Sequence, residues 1–494
     1  MRYLLAFLCL ALFATPAIAE DMPRLEQRGE ATQLIVDGEP FLILGGELGN
    51  STASDRATMA RHWPSLRDMN LNTVLAPIYW ELVEPEEGQF DFSSVDWLIE
   101  DARAHDMRLV LLWFGTWKNS MSSYVPGWVK RDSERFPRTI GADGRTQEII
   151  SAYSTEARDA DARAFAALMR HLKRVDGDAR TVIMVQVENE IGFLPFARES
   201  DRTDDPAADE RAMARAYAEY AEVVAAAGKR EYALPMFVNG AQGRPGVAPG
   251  GYPSGGPLAH LADIWRTHAP SVDFIAPDIY FPNFGEIVDG YYSAGTRPIF
   301  IPEANRPSDA ALAANALRSI GARGAIGFSP FAIEDASEAQ AANIGAVYAM
   351  LDSIAPLVLD AQAEGRIAGF AAPVDLDGTA MLEPLVSELG GARFSVTTVD
   401  PWTPRDAQDP KSHGGILIWL GGEEYLFAGT GMTLTVEPAD RQGRMGFERV
   451  EEGRFVDDGW QRGRVLNGDQ THQGRHVRLP PDTFGIQRFT LYRY

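Results

Sequence analysis

The sequence predicts an α/β protein in which a (β/α)8 TIM barrel is followed by a smaller all-β domain. Short apolar runs alternate with helical periodicities over the first two thirds of the chain, and beyond about residue 365 only short, strand-like runs remain. Eight apolar runs are followed by a helix or a long loop, and eight such units are typical of a (β/α)8 barrel. A doubly wound open sheet is the alternative architecture.

Each predicted element follows from its local pattern. Residues 33–38 and 40–47 read as strands joined by a turn at Asp37-Gly38. Helical spacing follows from Met59 to Met69, where Pro64 predicts a kink or a split. Further strands are predicted at residues 73–79, 108–114, 182–187, 234–238, 272–279, 297–301 and 324–328, and further helices from 94, at 160–174, 209–227, 260–267 and 310–320.

The domain boundary is predicted near residue 365. We assign residues 20–365 to the barrel and 366–494 to a β-sandwich-like C-terminal domain, because short runs in the second segment are spaced by Gly, Pro and Asp. Its aromatic residues suit either a sugar-binding module or a support that packs on the barrel, and strand spacing favours the support. These residues are Trp402, Trp419, Tyr425 and Trp460.

Residues 1–19 are typical of a secretory signal peptide. Arg2 precedes an apolar run that is too short for a membrane span of about 20 residues, and Ala17-Ile18-Ala19 predicts cleavage after Ala19. Cleavage would remove Cys9, the only cysteine. No second apolar run approaches spanning length, so we expect an exported bacterial protein, periplasmic or extracellular, without a membrane span.

The chain carries a formal net charge of −23. Nucleic acid is therefore excluded as an expected partner, because its recognition depends on clustered lysines and arginines that contact phosphates.

Polar and aromatic residues follow the predicted strands at the end where a barrel carries its active site. Carboxylates, amides and aromatic faces together suit a neutral, polyhydroxylated ligand. The substrate-binding candidates are Glu47, Trp80, Trp113, Trp117, Lys118, Asn119, Asn189 and Tyr280, and further polar residues at these ends are Glu81, Glu84, Asn239, Asp278, Asn305 and Arg306.

Two carboxylates dominate this set, Glu190 and Glu303, which end predicted strands four and seven. Opposed carboxylates suit glycosidic bond cleavage, in which one protonates the leaving oxygen while the other attacks or activates water. Solvated or ion-paired loop carboxylates are the alternative, disfavoured because both residues follow apolar strands. Glu188 has no assigned role; together with apolar surroundings it is expected to raise the pKa of Glu190.

Other chemistries find little support. The sequence has no Gly-x-Ser-x-Gly elbow and no phosphate loop. His472 and His476 have a metal-like spacing without a carboxylate partner, and the acidic run at residues 199–210 suits a solvated loop better than a calcium site. We predict no metal and no cofactor.

Two segments resemble a known family. Tyr79-Trp-Glu-Leu-Val-Glu-Pro-Glu-Glu-Gly-Gln-Phe-Asp-Phe92 is similar to the second-strand signature of glycoside hydrolase family 35, the β-galactosidases, and Gln186-Val-Glu-Asn-Glu-Ile-Gly192 resembles its Gln-x-Glu-Asn-Glu-x-Gly block. The likeness covers residues 35 to about 360. The chain departs from the family at Glu81 and Val83, where Asn and His are common, and at residues 115–120, which replace an Ile-Cys-Ala-Glu-Trp segment.

The resemblance implies a retaining, exo-acting β-galactosidase. Carried over, Glu190 is the acid/base, Glu303 the nucleophile by strand order and local sequence, and Asn189 a contact to a sugar hydroxyl. The implied substrates are terminal β-D-galactosyl residues, including those of xyloglucan side chains. The alternatives are another β-glycosidase of the same clan, active on β-glucosides or β-mannans, and a non-catalytic carbohydrate-binding protein of the envelope.

Overall fold

The computed structural model describes residues 22–456, 459–466, 468–481 and 483–494. The predicted signal peptide, residues 1–19, lies outside these ranges.

Eight parallel strands form a closed barrel. The sheet pairs them in the order β7-β6-β5-β4-β3-β2-β1-β8, and a bridge between Ile301 and Phe328 closes the ring. Their bounds are Ile43–Glu47 (β1), Thr73–Tyr79 (β2), Arg108–Lys118 (β3), Val182–Asn189 (β4), Met236–Ala241 (β5), Phe274–Ile279 (β6), Glu303–Ala304 (β7) and Gly327–Phe328 (β8). Closure confirms the predicted barrel over the open sheet, which would leave two edge strands.

The helices surround the barrel, and the split predicted at Pro64 is observed. One helix ends at Met59, and the next begins at Trp63 with Pro64 in its first turn, where the missing N–H has no intrahelical partner to lose. The α-helices of the described chain are Arg56–Met59, Trp63–Asp68, Trp80–Val83, Ser93–Ala104, Gly127–Arg131, Thr155–Asp176, Pro206–Glu231, Ala262–His268, Phe284–Ser293, Leu312–Arg323 and Glu338–Ala363.

The seventh strand differs from its prediction at residues 297–301. Its ladder with β6 lies at Glu303 and Ala304, and Ile301 makes only an isolated bridge to β8. Pro298 and Pro302 have no N–H to donate to a neighbouring strand, which limits pairing in the apolar run itself. Glu303 is therefore a residue of β7 and does not merely follow it.

Two apolar layers position the strands. Side chains inside the ring, such as Leu75, Leu112 and Phe237, form one buried cluster, while a larger cluster lies between the strands and the helices. An antiparallel sheet of Arg24–Arg28, Ala31–Val36 and Glu39–Phe41 adds Leu34 and Val36 to the inner cluster. A two-stranded sheet, Arg138–Ile140 and Thr146–Ile150, lies in the connection from β3 to β4.

The architecture changes between Ala363, where the last helix ends, and Ile367, where the next strand begins. Two antiparallel sheets follow, which confirms the predicted all-β character. One pairs Ile367–Ala371, Gly414–Gly421, Glu424–Thr430, Gly485–Arg493, Met445–Val456 and Gly459–Val465 in that order, and the other pairs Leu385–Leu389, Ala392–Thr397, Met432–Pro438 and Val477–Leu479.

The six-stranded sheet packs directly on the barrel. Gly321 in the Leu312–Arg323 helix faces Gly369, so closely that an added Cβ would lie 2.7 Å from the Gly369 Cα. Ile416 and Ile418 belong to the same buried cluster as the barrel helices. Tyr425 is a core residue of this domain, whereas Trp402 is 56% exposed.

One helix of the described chain, Glu338–Ala363, is long and apolar enough to cross a bilayer by length and composition. The expectation that no second apolar run approaches spanning length is therefore wrong. Half of its most apolar window is buried, and its Tyr348 hydroxyl lies 2.8 Å from the carbonyl oxygen of Gly45 and 2.9 Å from that of Phe328. A core helix that packs on a barrel passes the same test.

Candidate active site

Three carboxylates converge at the carboxyl ends of β4, β6 and β7. One oxygen from each of Glu190, Asp278 and Glu303 lies within 4.8 Å of the other two, and all three residues are buried. Asp278 and Glu303 are direct partners in the β6–β7 ladder. The two carboxylates singled out from the sequence are thus brought together.

The turn after β4 directs Glu190 into this cluster. Glu188 and Glu190 both have positive φ, 60° and 45°, which is unusual for residues with a Cβ and breaks the regular strand alternation. Asn239 at the end of β5 holds the turn, since its Oδ1 accepts the Glu190 N–H at 3.0 Å and its Nδ2 donates to Asp278 at 2.6 Å.

Glu190 is 5% exposed and accepts a hydrogen bond from the side-chain amide of Asn119. Burial first and the charge of Glu303 second raise the pKa of Glu190 to about 7, against the opposing effect of Lys118. A carboxyl group with this pKa holds a proton for a substantial fraction of the time at neutral pH. The expectation that Glu188 contributes to this pKa is wrong, because the Glu188 carboxyl lies behind β3, next to Asp161.

Glu303 has a different environment. The Tyr280 hydroxyl donates to Glu303 Oε1, and Oε2 has no hydrogen-bond donor among the described residues. Glu47, at the end of β1, is fully buried beside it. Burial first and Glu303 second raise the pKa of Glu47 well above its ordinary value, which favours its protonated form.

Lys118, at the end of β3, supplies positive charge to the cluster. Its Nζ lies 5.2 Å from the centre of the Phe114 ring. Its charge lowers the pKa of Glu47, Glu190 and Asp278. Asn189 pairs with Lys118 in the β3–β4 ladder and is fully buried, and neither polar atom of its side chain has a partner among the described residues.

The three tryptophans predicted as substrate contacts point away from the carboxylate cluster. Trp80 donates to Glu84, Trp113 to Asp161, and Trp117 to the carbonyl oxygen of Ile150. Each side chain is fully buried, and none lines the cavity at Glu190. These rings fill space between strands and surrounding helices, where a flat apolar surface packs well.

A cavity of about 320 Å³ opens beside Glu190. It is lined by Asn119, Glu190, Ala241, Gln242, Pro253, Asp278, Tyr280 and Phe281. The sequence analysis did not name Gln242 and Phe281. Each follows the end of a barrel strand by one or two positions, so the rule that active-site groups lie at the carboxyl ends of barrel strands would have identified them. Pro253 lies in the long loop after β5, where no local pattern indicates a site.

Divalent cations prefer oxygen ligands, and the three clustered carboxylates offer them. However, Glu190 and Glu303 already accept hydrogen bonds from Asn119 and Tyr280, and Lys118 brings positive charge. This set fits a proton-sharing cluster, and we assign no cation to it.

In the acidic run at residues 199–210, Asp205 caps the helix that follows and Asp209 accepts two hydrogen bonds from Thr203.

Residues 33–236 match the model of the glycosyl hydrolases family 35. Residues 344–478 match the model of a domain of unknown function, DUF5597. The family 35 match contains Glu47, the Trp80 segment and the Glu190 block, but it ends before Asp278, Tyr280 and Glu303, which are placed by geometry.

Two curated relatives share this family 35 region. The β-galactosidase of Xanthomonas manihotis is 31% identical over 220 residues, which are 42% of this chain and 32% of that protein. β-Galactosidase 14 of Arabidopsis thaliana is 25% identical over 207 residues, 40% of this chain and 22% of that protein. The chain therefore spans a third or less of the length of these relatives.

A solved structure shares the fold. The β-galactosidase of Bacillus circulans sp. alkalophilus superposes with a TM-score of 0.50 at 14% identity, over 65% of this chain and 57% of that one. This likeness shows the barrel architecture alone.

Proposed function

We propose that the protein is a retaining, exo-acting β-galactosidase that removes terminal β-D-galactosyl residues. The observation that carries this proposal is the separation of Glu190 and Glu303, whose nearest carboxylate oxygens lie within 4.8 Å. Retaining glycosidases hold their two carboxyl groups roughly 5–5.5 Å apart, whereas inverting enzymes leave roughly 6.5–9.5 Å for a water molecule.

In the first step, Glu303 attacks the anomeric carbon and the bond to the leaving oxygen breaks, while Glu190 transfers its proton to that oxygen. The Tyr280 hydroxyl orients the Glu303 carboxylate for this attack. The result is a galactosyl ester on Glu303 and an ionised Glu190.

In the second step, Glu190 takes a proton from water, which attacks the anomeric carbon and releases Glu303. The charge of Glu303 contributes to the raised pKa of Glu190. Ester formation removes that charge, so the pKa of Glu190 falls when the residue must act as a base. One carboxyl group thereby serves as acid and then as base.

The proposed substrate is a neutral terminal sugar. The cavity of about 320 Å³ is at the small end of ligand sites, roughly 300–1,000 Å³, which favours one sugar unit over a long chain. Galactose is proposed because both curated relatives are named β-galactosidases, and galactosylated xyloglucan side chains are the proposed natural source.

Turnover of nitrophenyl β-D-galactoside, β-D-glucoside and β-D-mannoside tests the sugar preference. We expect the galactoside to be cleaved fastest, and galactosylated xyloglucan oligosaccharides to lose their terminal galactose. NMR of the first-formed galactose should show the β anomer. Faster cleavage of the glucoside or of the mannoside would replace galactose as the proposed sugar. An α anomer as the first-formed galactose would contradict retention. Binding of the galactoside without cleavage would favour the carbohydrate-binding alternative.

We also propose that the protein is exported, on the pattern of residues 1–19. The mass of the protein recovered outside the cytoplasm tests this. A mature chain that begins at Glu20 is expected, and retention of Met1 in that fraction would contradict cleavage.

A further inference from the structure

A second carboxyl pair, Glu188 and Asp161, lies behind the candidate site. Both residues are fully buried. They face the same glycine of β3: a Cβ added to Gly115 would lie 2.8 Å from Asp161 Oδ2 and 2.8 Å from Glu188 Oε1. Two ionised carboxylates in such a position would repel each other strongly, so one of them must hold a proton.

The hydrogen-bond donors around the pair decide which one. Asp161 accepts three bonds, from Trp113 Nε1 at 2.8 Å, the Thr116 N–H at 3.0 Å and the Thr116 hydroxyl at 2.7 Å. Tyr220 lies 2.7 Å from the Thr116 hydroxyl and donates to it, because that hydroxyl's proton is already directed to Asp161. Three donors stabilise the ionised form of Asp161.

Glu188 has fewer donors. Its Oε2 accepts the Trp117 N–H at 2.7 Å, and Oε1 has no donor among the described residues. A protonated Oε1 can donate to Asp161, which satisfies both groups. Burial first and Asp161 second raise the pKa of Glu188 well above its ordinary value, in agreement with these contacts.

The two carboxyl groups lie against a bulge of β3, next to Gly115. Trp113 pairs with Val187 and Lys118 pairs with Asn189, so residues 114–117 of β3 all lie opposite Glu188 alone. Lys118 and Asn119 follow the bulge directly, and Glu190 follows Glu188 by two positions. Bulges of this kind redirect the side chains that follow them.

We propose that Glu188 is a neutral carboxylic acid that donates a hydrogen bond to the ionised Asp161, and that this pair acts as a positioning device for Lys118, Asn119 and Glu190. The consequence for activity rests on the proposed galactosidase function, whereas the protonation state does not. Glu188 is a positioning residue because it contacts neither the cavity nor the carboxylate cluster.

The pH dependence of stability tests the proton. The ionisable groups around Glu188 are Asp161 and Tyr220 from two helices, and Arg158 next to Tyr220. Because the native pKa of Glu188 is raised, the native protein binds a proton that the unfolded chain has released above its ordinary pKa. The proton on Glu188 alone therefore makes the folding equilibrium constant fall by about tenfold per pH unit in that window, up to the native pKa, and the comparison with a variant isolates this contribution.

Glu188→Gln removes this effect and keeps the contacts. Its amide N–H donates to Asp161, and its carbonyl oxygen accepts the Trp117 N–H. We expect the melting temperature of E188Q, relative to the wild type, to rise steadily as the pH increases above the ordinary pKa of a glutamic acid, about 4.3. A difference that is the same at every pH, or an E188Q protein as unstable as Glu188→Ala, would overturn the proposal.

Asp161→Asn is the matched control. One oxygen of Asp161 accepts a hydrogen bond from Trp113 and the other accepts one from Thr116. The amide NH2 group of the asparagine would therefore face one of these donors whichever way the side chain is turned. We expect D161N to melt well below E188Q at every pH, and equal tolerance of both variants would overturn the assignment of the proton to Glu188.

Activity reports the positioning role. At neutral pH, E188Q should keep kcat/KM within about threefold of the wild type and leave its pH profile unmoved, because the glutamine side chain keeps both hydrogen bonds of Glu188. Glu188→Ala should lower kcat and shift the alkaline limb of that profile, because Lys118 no longer sits correctly beside Glu190. An unmoved profile in E188A would overturn the positioning role.

The unfolding measurements need no substrate, so a wild-type chain without galactosidase activity would contradict the proposed function alone.

Discussion

The nearest carboxylate oxygens of Glu190 and Glu303 lie within 4.8 Å of each other, but the two groups accept hydrogen bonds from different donors, Asn119 for Glu190 and Tyr280 for Glu303. Proximity gives both carboxylates access to one anomeric centre. The raised pKa of Glu190, about 7, makes it the proton carrier of the two. The division of labour between the two residues leads to distinct expectations for variants of each.

Alanine variants with added azide separate the two roles. Glu303→Ala should lose nearly all turnover, and azide should restore it with an α-galactosyl azide as product, because the small anion enters from the face that the nucleophile occupied. Glu190→Ala should form its galactosyl ester from a good leaving group, and azide should then give the β product. NMR of the two products checks this, and a β-configured azide from E303A would assign the nucleophile to another residue.

The alkaline limb of the pH profile of kcat/KM should follow the ionisation of Glu190. Because the pKa of Glu190 is raised to about 7, the acid form is present below that pH and activity falls as pH rises through it. Lys118 lowers this pKa, so Lys118→Met should move the limb to higher pH, whereas Lys118→Arg keeps the charge and should leave it in place. A limb at the same pH in wild type and K118M would show that Lys118 does not act on the catalytic acid.

Tyr280→Phe removes the hydroxyl that donates to Glu303. A hydrogen bond to a charged group contributes about 1.5–3 kcal/mol, so kcat/KM should fall by about 10- to 160-fold. The exposed Tyr494 offers a control, since Tyr494→Phe should leave kcat/KM unaltered. Wild-type kinetics in Y280F would remove Tyr280 from the mechanism.

Trp117→Phe should affect folding and not substrate binding. The ring packs against Tyr217 and Tyr220, and its Nε1 donates to the carbonyl oxygen of Ile150. Loss of that bond and of ring volume should lower the free energy of unfolding by about 1–3 kcal/mol. Urea unfolding measures the loss, and an increase in KM without loss of stability would return Trp117 to the substrate contacts.

Much of the fold was predictable because barrel strands are buried on both faces and appear as continuous apolar runs. The rule that active-site groups follow such runs also pointed to Glu190, Glu303, Lys118, Asn119 and Tyr280, which the structure places in or beside one carboxylate cluster. These assignments need only the position of a residue relative to a strand end, which the sequence displays.

The direction of each side chain at these ends was not predictable. Trp113 and Trp117 face helices: Trp113 donates to Asp161 of the Thr155–Asp176 helix, and Trp117 packs against Tyr217 and Tyr220 of the Pro206–Glu231 helix. The positive φ of Glu188 and Glu190 likewise departs from the alternation that sequence patterns assume. Both features arise from contacts between segments distant in the chain.

Trapping of the glycosyl enzyme tests the central claim most directly. A 2-deoxy-2-fluoro-β-galactosyl donor with a good leaving group slows the second step more than it slows the first, so the ester accumulates. Mass spectrometry of the digested protein should find one fluorogalactosyl group, on Glu303. A label on Glu47, Asp278 or Glu190, or turnover with an α-configured first product and no label, would contradict the account.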